Sequence, residues 1–132
     1  MPHCIMLQKF GNFLYDAFGL VPYQVGSSVL TKNDWRDVDV RILMPDEDYQ
    51  RLGFGDPTKY PHGTHENAKW VAHTLAWSIF GREITGLPID FQIQPLNWAN
   101  EHEKGNRSAM LDLAHLTELR HAYERGKKDK EN

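Results

Sequence analysis

The chain has 132 residues, of which 40% are hydrophobic and 25% are charged, and its formal net charge is -3. This length and balance suit one ordinary domain with a packed core, and the slight acidity argues against a broad nucleic-acid coat. The single cysteine, Cys4, rules out a disulfide or a cysteine zinc cage within the chain. No apolar run approaches the roughly 20 residues that span a bilayer, and the start lacks a secretion signal. We therefore expect a cytoplasmic protein with no membrane partner.

Helices and strands alternate along the first half of the chain. Apolar residues at helical or alternating spacing, separated by Gly and Pro, mark the boundaries. The predicted elements are a helix over 3–18, a strand over 23–25, a strand over 37–44 (DVDVRILM), a short helix over 46–52 and a Gly- and Pro-rich loop over 53–63.

The second half of the chain continues the alternation of helix and strand. Its predicted elements are a helix over 65–80, a strand over 87–94 (LPIDFQIQ) and a last helix from Ser108 to about Tyr123. The order of elements predicts a mixed α/β (α+β) domain over 1–125, with a small mixed β-sheet flanked by helices. A flexible charged tail is expected over 126–132.

The helix over 65–80 carries the clearest helical pattern in the chain. Thr64 is its expected N-cap, and Gly81 and Gly86 are expected to interrupt the chain after it. One apolar stripe runs along this helix and consists of Ala68, Val71, Ala72, Leu75, Ala76 and Ile79. Trp70 and Trp77 lie one heptad apart on the same helix, and we expect them to pack in a core or an interface.

Three aspartates occupy unusual positions in the predicted strands. Asp37 and Asp39 alternate with valines, so both side chains are expected on one face of the strand over 37–44. Like charges held that close raise each other's pKa, which calls for a compensating cation. Asp90 interrupts an apolar strand, where an ionised group is costly unless it is paired or binds a cation. If the two strands are neighbours, the three carboxylates are oxygen ligands suited to Mg²⁺.

A Gly-Ser-Ser turn precedes the paired aspartates and offers the groups that bind phosphate. Gly26 allows the backbone to approach a phosphate closely, and Ser27 and Ser28 supply hydroxyl and amide donors. Basic residues that could reach triphosphate oxygens are Lys32, Arg36 and Arg107. Anion donors on one side and metal ligands on the other suit a metal-bound nucleoside triphosphate.

The order of these motifs resembles the nucleotidyltransferase superfamily that includes DNA polymerase beta. The match is closest to its small single-domain members, and the chain is also similar to stand-alone members found in phage genomes. The resemblance implies the nucleotidyltransferase fold, with Gly26 and Ser27 holding the triphosphate. It implies that Asp37 and Asp39 bind two Mg²⁺ ions, for which Mn²⁺ can substitute, and that Asp90 binds one of them. The chain lacks the second glycine that many members carry shortly after Gly-Ser.

The resemblance also implies a reaction and its partners. A nucleoside monophosphate would pass from an NTP to an unknown acceptor, with release of pyrophosphate, and Asp90 would orient or deprotonate the acceptor hydroxyl. Minimal members of the family often obtain acceptor binding from a partner. A homodimer or a small protein partner is therefore expected.

Three alternative interpretations remain open from the sequence. Asp90 could pair with an arginine such as Arg41 or Arg82 and serve structure alone. The fold could be catalytically silent and act as a binding module, in the manner of an antitoxin, through its clearest helix or its tail. A third possibility is a metallohydrolase built on His62, His65 and nearby acids.

Overall fold

The computed structural model describes residues 2–26, 37–59 and 67–131. The helices and strands are α1 (Pro2–Phe18), β1 (Pro22–Val25), β2 (Val38–Met44), α2 (Asp46–Arg51), α3 (Ala68–Thr85), β3 (Ile89–Pro95), α4 (Leu96–His102), β4 (Arg107–Ala109) and α5 (Leu113–Glu131). This part of the chain is a mixed α/β structure, which confirms the predicted fold class, and it has one four-stranded sheet and five helices. None of these helices is both long enough and apolar enough to cross a membrane.

The sheet has the strand order β3-β2-β1-β4. Strands β2 and β3 run parallel, and α3 lies in the long connection between them, as parallel neighbours require. Strand β1 pairs antiparallel with β2 on one side and with β4 on the other. The predicted strands over 37–44 and 87–94 are therefore central neighbours in one mixed sheet.

The hydrophobic core lies on one face of the sheet, beneath α1 and α3. Alternate residues of β2 and β3 point into this core because successive side chains of a strand project to opposite faces. Fully buried core residues from these elements are Phe10, Leu14, Val38, Val40, Ile42, Ile89, Phe91 and Ile93. The intervening residues of both strands, which include the aspartates, consequently project to the opposite face.

The boundaries of α3 differ from the predicted ones. The helix begins at Ala68, and the side-chain oxygen of Asn67 caps it by accepting the Trp70 N–H at 2.9 Å. The predicted cap, Thr64, lies outside the described residues. Gly81 does not break the helix but lies inside it, where an added Cβ would approach the Phe10 ring to 2.8 Å. Close packing against α1 therefore explains this glycine better than a break does.

Most of the predicted apolar stripe of α3 faces away from the core, and only Val71 of the stripe packs partly against it. Leu75 and Ile79 are 55% and 48% exposed, and the alanines of the stripe are exposed as well. The aromatic side packs inward instead, led by Trp70 and Trp77. The helix is apolar on most sides, and burying large aromatic rings removes more apolar surface from water than burying alanines does.

The C-terminal third contains two elements that the sequence pattern did not predict, α4 and β4. Ser108 lies in β4, so its expected role as a helix cap is wrong. Asp112 caps α5 instead, because its Oδ1 accepts the His115 N–H at 2.9 Å. The helix then continues to Glu131, well past its expected end at Tyr123, so most of the predicted tail is helical.

Candidate active site

The face of the sheet opposite α1 and α3 carries a row of side chains that crosses all four strands. Asp39 on β2 is in register with Asp90 on β3 and with Val25 on β1. Val25 is in turn in register with Arg107 on β4. Residues paired in register project to the same face of a sheet, so the four side chains form one line. The parallel pairing of β2 and β3 thus places the Asp39 and Asp90 carboxylates side by side.

Arg41 lies next to both carboxylates. It follows Asp39 by one strand repeat and therefore shares its face. Its Nη2 lies 3.7 Å from Oδ1 of Asp39 and 4.0 Å from Oδ2 of Asp90. The arginine pairing considered for Asp90 is therefore present with Arg41, whereas Arg82 donates to a carbonyl of β3 at 3.1 Å.

The Asp39 carboxyl has a pKa above its ordinary value. Burial is the largest cause, because a charged carboxylate loses hydration there, and the Arg41 guanidinium opposes it by lowering the pKa. The negative charges of Asp90 and Asp37 raise the pKa, as does a hydrogen bond between the Asp39 and Asp90 side chains. Arg41 therefore does not fully offset the effects of burial and of the neighbouring negative charges, and a further cation at the pair would lower the pKa of Asp39.

Asp37 lies just outside the close pair. It directly precedes β2 and is exposed, yet its charge acts on Asp39. Within 2–26, 37–59 and 67–131, no three acidic, histidine or cysteine side chains are grouped closely enough to hold a metal ion. Mg²⁺ at nucleotide sites uses one or two carboxylates together with phosphates and water. The donor chemistry of Asp39 and Asp90 fits that pattern.

Gly26 brings the end of β1 against the same carboxylate. Its φ of 78° lies in the left-handed region that favours glycine. A Cβ added at this position would stand 2.7 Å from Oδ2 of Asp39, closer than two such atoms can pack. The start of the predicted phosphate turn thus contacts the predicted metal ligand. The remaining predicted nucleotide contacts lie outside the described residues: Ser27, Ser28, Lys32 and Arg36.

A cavity of about 260 Å³ opens beside Gly26 and Asp39. Its lining residues are Val25, Gly26, Asp39, Arg41, Glu103, Gly105, Asn106 and Arg107. The sequence did not indicate Glu103 and Asn106 as residues of this site, because they lie in the connection between the two unpredicted elements α4 and β4. The sequence indicated Arg41 only as a structural partner for Asp90, although the alternation of β2 also places it on the face of Asp39.

Arg107 forms a wall of this cavity but is already hydrogen-bonded. Its Nη1 donates to Oδ1 of Asn100 at 2.9 Å. Its Nη2 donates to the carbonyls of Ala99 and Glu103, both at 3.0 Å. These bonds satisfy carbonyls at the end of α4 and tie α4 to β4. The structure therefore gives Arg107 a role in shaping the cavity, and its contact with a triphosphate stays a prediction.

The described residues contain no group of metal ligands that would support the metallohydrolase interpretation. His62 and His65 lie outside them. His102 stacks on Trp98 with ring centroids 5.1 Å apart, and its Nδ1 lies 3.1 Å from the Trp98 carbonyl oxygen. These contacts explain the position of the His102 ring by packing within α4.

Comparison of the chain with protein-family models, with curated proteins and with solved structures gives no match. The functional interpretation therefore rests on the residues and the geometry described above.

Proposed function

We propose that this chain is a metal-dependent nucleotidyltransferase that moves a nucleoside monophosphate from an NTP to an acceptor, with pyrophosphate as the leaving group. The observation that carries the proposal is the register pairing of Asp39 with Asp90, with Gly26 in contact with Asp39. Two carboxylates and an arginine alone would also fit a structural ion pair. The glycine turn and the adjacent cavity add the close backbone approach and the space that a phosphate chain requires.

Each residue has a definite role in this proposal. Asp39 and Asp90 hold Mg²⁺, or Mn²⁺ in its place, and Asp37 acts as the additional carboxylate beside them. The bound ions would supply neutralisation of phosphate charge. Asp90, the more exposed of the close pair, orients the acceptor hydroxyl or takes its proton. Gly26 lets the backbone approach the phosphates, so most of the rate enhancement comes from positioning and charge.

Titration calorimetry of each of the four NTPs, with Mg²⁺ and separately with Mn²⁺, tests the proposal. The informative variants are Asp39→Asn and Asp90→Asn, which keep the size of the side chain and remove its charge. Asp48→Asn is the matched control, because Asp48 forms a surface ion pair with Arg51 at 2.9 Å and surface pairs contribute little.

We expect metal-dependent binding of at least one NTP by the wild type and by Asp48→Asn, with loss of binding in the two site variants. The same preparations, given an α-labelled NTP, would reveal transfer of the label to an acceptor. Nucleotide binding that persists in Asp39→Asn, or that needs no metal, would contradict the proposal. Absence of binding to all four NTPs by the folded wild type would favour the second candidate below.

The second candidate is a catalytically silent binding module, and one observation favours it. The outward side of α3 presents Leu75 and Ile79 half-exposed, next to exposed alanines of the same helix. Apolar surface of this kind is a common site of protein contact. Sedimentation of the wild type beside a Leu75→Gln/Ile79→Gln variant distinguishes the two functions. A metal-independent complex that this variant loses would support the binding module.

A further inference from the structure

Arg41 is a buried cation inside the candidate site. Its side chain is 10% exposed, whereas that of Asp39 is 31% exposed. Burying a guanidinium is costly unless its surroundings compensate it fully. The Nε of Arg41 is buried and has no hydrogen-bond partner among the described residues. A buried arginine that is only partly satisfied calls for a functional explanation.

The main chain, rather than the carboxylates, anchors this guanidinium. The Nη1 of Arg41 donates to the carbonyl oxygens of Val40 at 3.0 Å and of Asp90 at 2.8 Å. Its Nη2 stays 3.7 Å and 4.0 Å from the carboxylate oxygens of Asp39 and Asp90, too far for hydrogen bonds. An arginine that formed bidentate hydrogen bonds with the carboxylates would occupy their oxygens. In this arrangement Arg41 does not occupy those oxygens, and they can bind another ligand once the hydrogen bond between the two carboxyl groups is released.

We propose that Arg41 is a positioning residue that acts as a fixed counter-cation at the Asp39–Asp90 pair. It holds the two carboxylates together in the metal-free protein, and it lowers their affinity for a free divalent ion. This inference rests on the proposed function and concerns the regulation of that same site.

The physical reason is the sign of the charges that meet at the pair. The guanidinium repels a free divalent ion, and its main-chain bonds prevent it from moving aside. A triphosphate carries negative charge that the same guanidinium attracts. The site consequently favours an ion that is already bound to a triphosphate over a free ion.

Electron paramagnetic resonance can test this role by measuring Mn²⁺ affinity. The affinity is measured first with Mn²⁺ alone and then with Mn²⁺ and inorganic tripolyphosphate. Arg41→Gln removes the charge, and Arg41→Lys keeps the charge. Arg120→Gln is the matched control, because it removes one arginine charge at an exposed position of α5, where Arg120 pairs with Glu124. We expect Arg41→Gln to bind free Mn²⁺ about tenfold tighter than the wild type, and to gain less or lose affinity with tripolyphosphate. Arg41→Lys and Arg120→Gln should stay within about threefold of the wild type.

An Arg41→Gln protein that is folded and binds free Mn²⁺ no tighter than the wild type would overturn this role. If Arg41→Gln does not fold, Arg41→Lys decides, since a change of more than about threefold despite the retained charge would also overturn it. Asp39→Asn separates this failure from failure of the proposed function. If Asp39→Asn loses Mn²⁺ binding but Arg41→Gln does not bind Mn²⁺ more tightly, only the counter-cation role of Arg41 is removed. If Mn²⁺ affinity is equal in the wild type and Asp39→Asn, both for Mn²⁺ alone and with tripolyphosphate, the counter-cation role and the proposed function are both removed.

Discussion

Gly26→Ala tests whether the turn after β1 and the Asp39 carboxylate belong to one site. An alanine at a φ of 78° costs about 1–2 kcal/mol in backbone strain. Its Cβ would also stand 2.7 Å from Oδ2 of Asp39. The carboxylate must therefore retreat by about 0.7 Å to restore ordinary van der Waals contact. Asp39 is partly exposed, so its side chain has room to move and the added loss of stability is small.

Gly86→Ala is the matched control for this variant. Gly86 has a φ of 70° at the end of α3, and an added Cβ there meets nothing within 4 Å. The two variants therefore share the backbone strain and differ in the contact with Asp39. Both should lose about 1–2 kcal/mol of unfolding free energy, a fall in Tm of about 4–8 °C for a domain of this size.

We expect the two variants to differ in their affinity for Mn²⁺ with tripolyphosphate, although their stabilities are similar. A misplacement of about 1 Å in a positioned site can cost about 100-fold, so we expect Gly26→Ala to bind Mn²⁺ with tripolyphosphate at least about tenfold more weakly than Gly86→Ala. Calorimetry measures the affinities, and thermal unfolding monitored by circular dichroism measures the strain. Equal affinity in two equally stable variants would refute the link between Gly26 and the site.

Two further substitutions test the electrostatics and the packing around the site. The raised pKa of Asp39 means that its contribution to stability is present below the ordinary carboxyl pKa and is lost as pH rises through the folded value. Asp39→Asn should therefore unfold at a higher temperature than the wild type near neutral pH, with the difference fading in acid, and a stability loss at neutral pH would contradict this reasoning. Ser78→Ala removes the buried acceptor of the Phe91 N–H and should cost about 1–3 kcal/mol in urea unfolding, with faster hydrogen exchange at that amide. An unchanged exchange rate would mean that the N–H finds another partner.

The carboxylate pair could be predicted because strand periodicity is a strong local signal. Alternation of aspartate and valine places Asp39 on the polar face of β2, and the apolar run around Asp90 identifies β3 as a buried strand. Both expectations depend on residues close in sequence. The register that places these two residues opposite each other depends on the whole sheet. From the sequence alone, it could be expected only on the assumption that the two strands are neighbours.

The orientation of α3 and the cavity wall could not be predicted by the same reasoning. Helix α3 is apolar around most of its circumference, so periodicity alone does not single out the buried side, and the sizes of Trp70 and Trp77 decide it. The cavity wall depends on Arg107, whose side chain bonds to the end of α4. Both α4 and β4 are short, and short elements carry too few residues for a periodic pattern.

The position of α3 also explains how the fold holds Asp90 in place. Strand β3 lies at the edge of the described sheet, where one side of its backbone has no neighbouring strand. Side chains of α3 hydrogen-bond that edge: Ser78 Oγ with the Phe91 N–H at 3.0 Å, Trp70 Nε1 with the Ile93 carbonyl at 3.0 Å and Arg82 Nε with the Ile89 carbonyl at 3.1 Å. These bonds cover an edge that would otherwise be free to pair with another chain. They also fix β3 along its length, and so fix Asp90 opposite Asp39, because a slip of one residue would turn the carboxylate to the other face of the sheet.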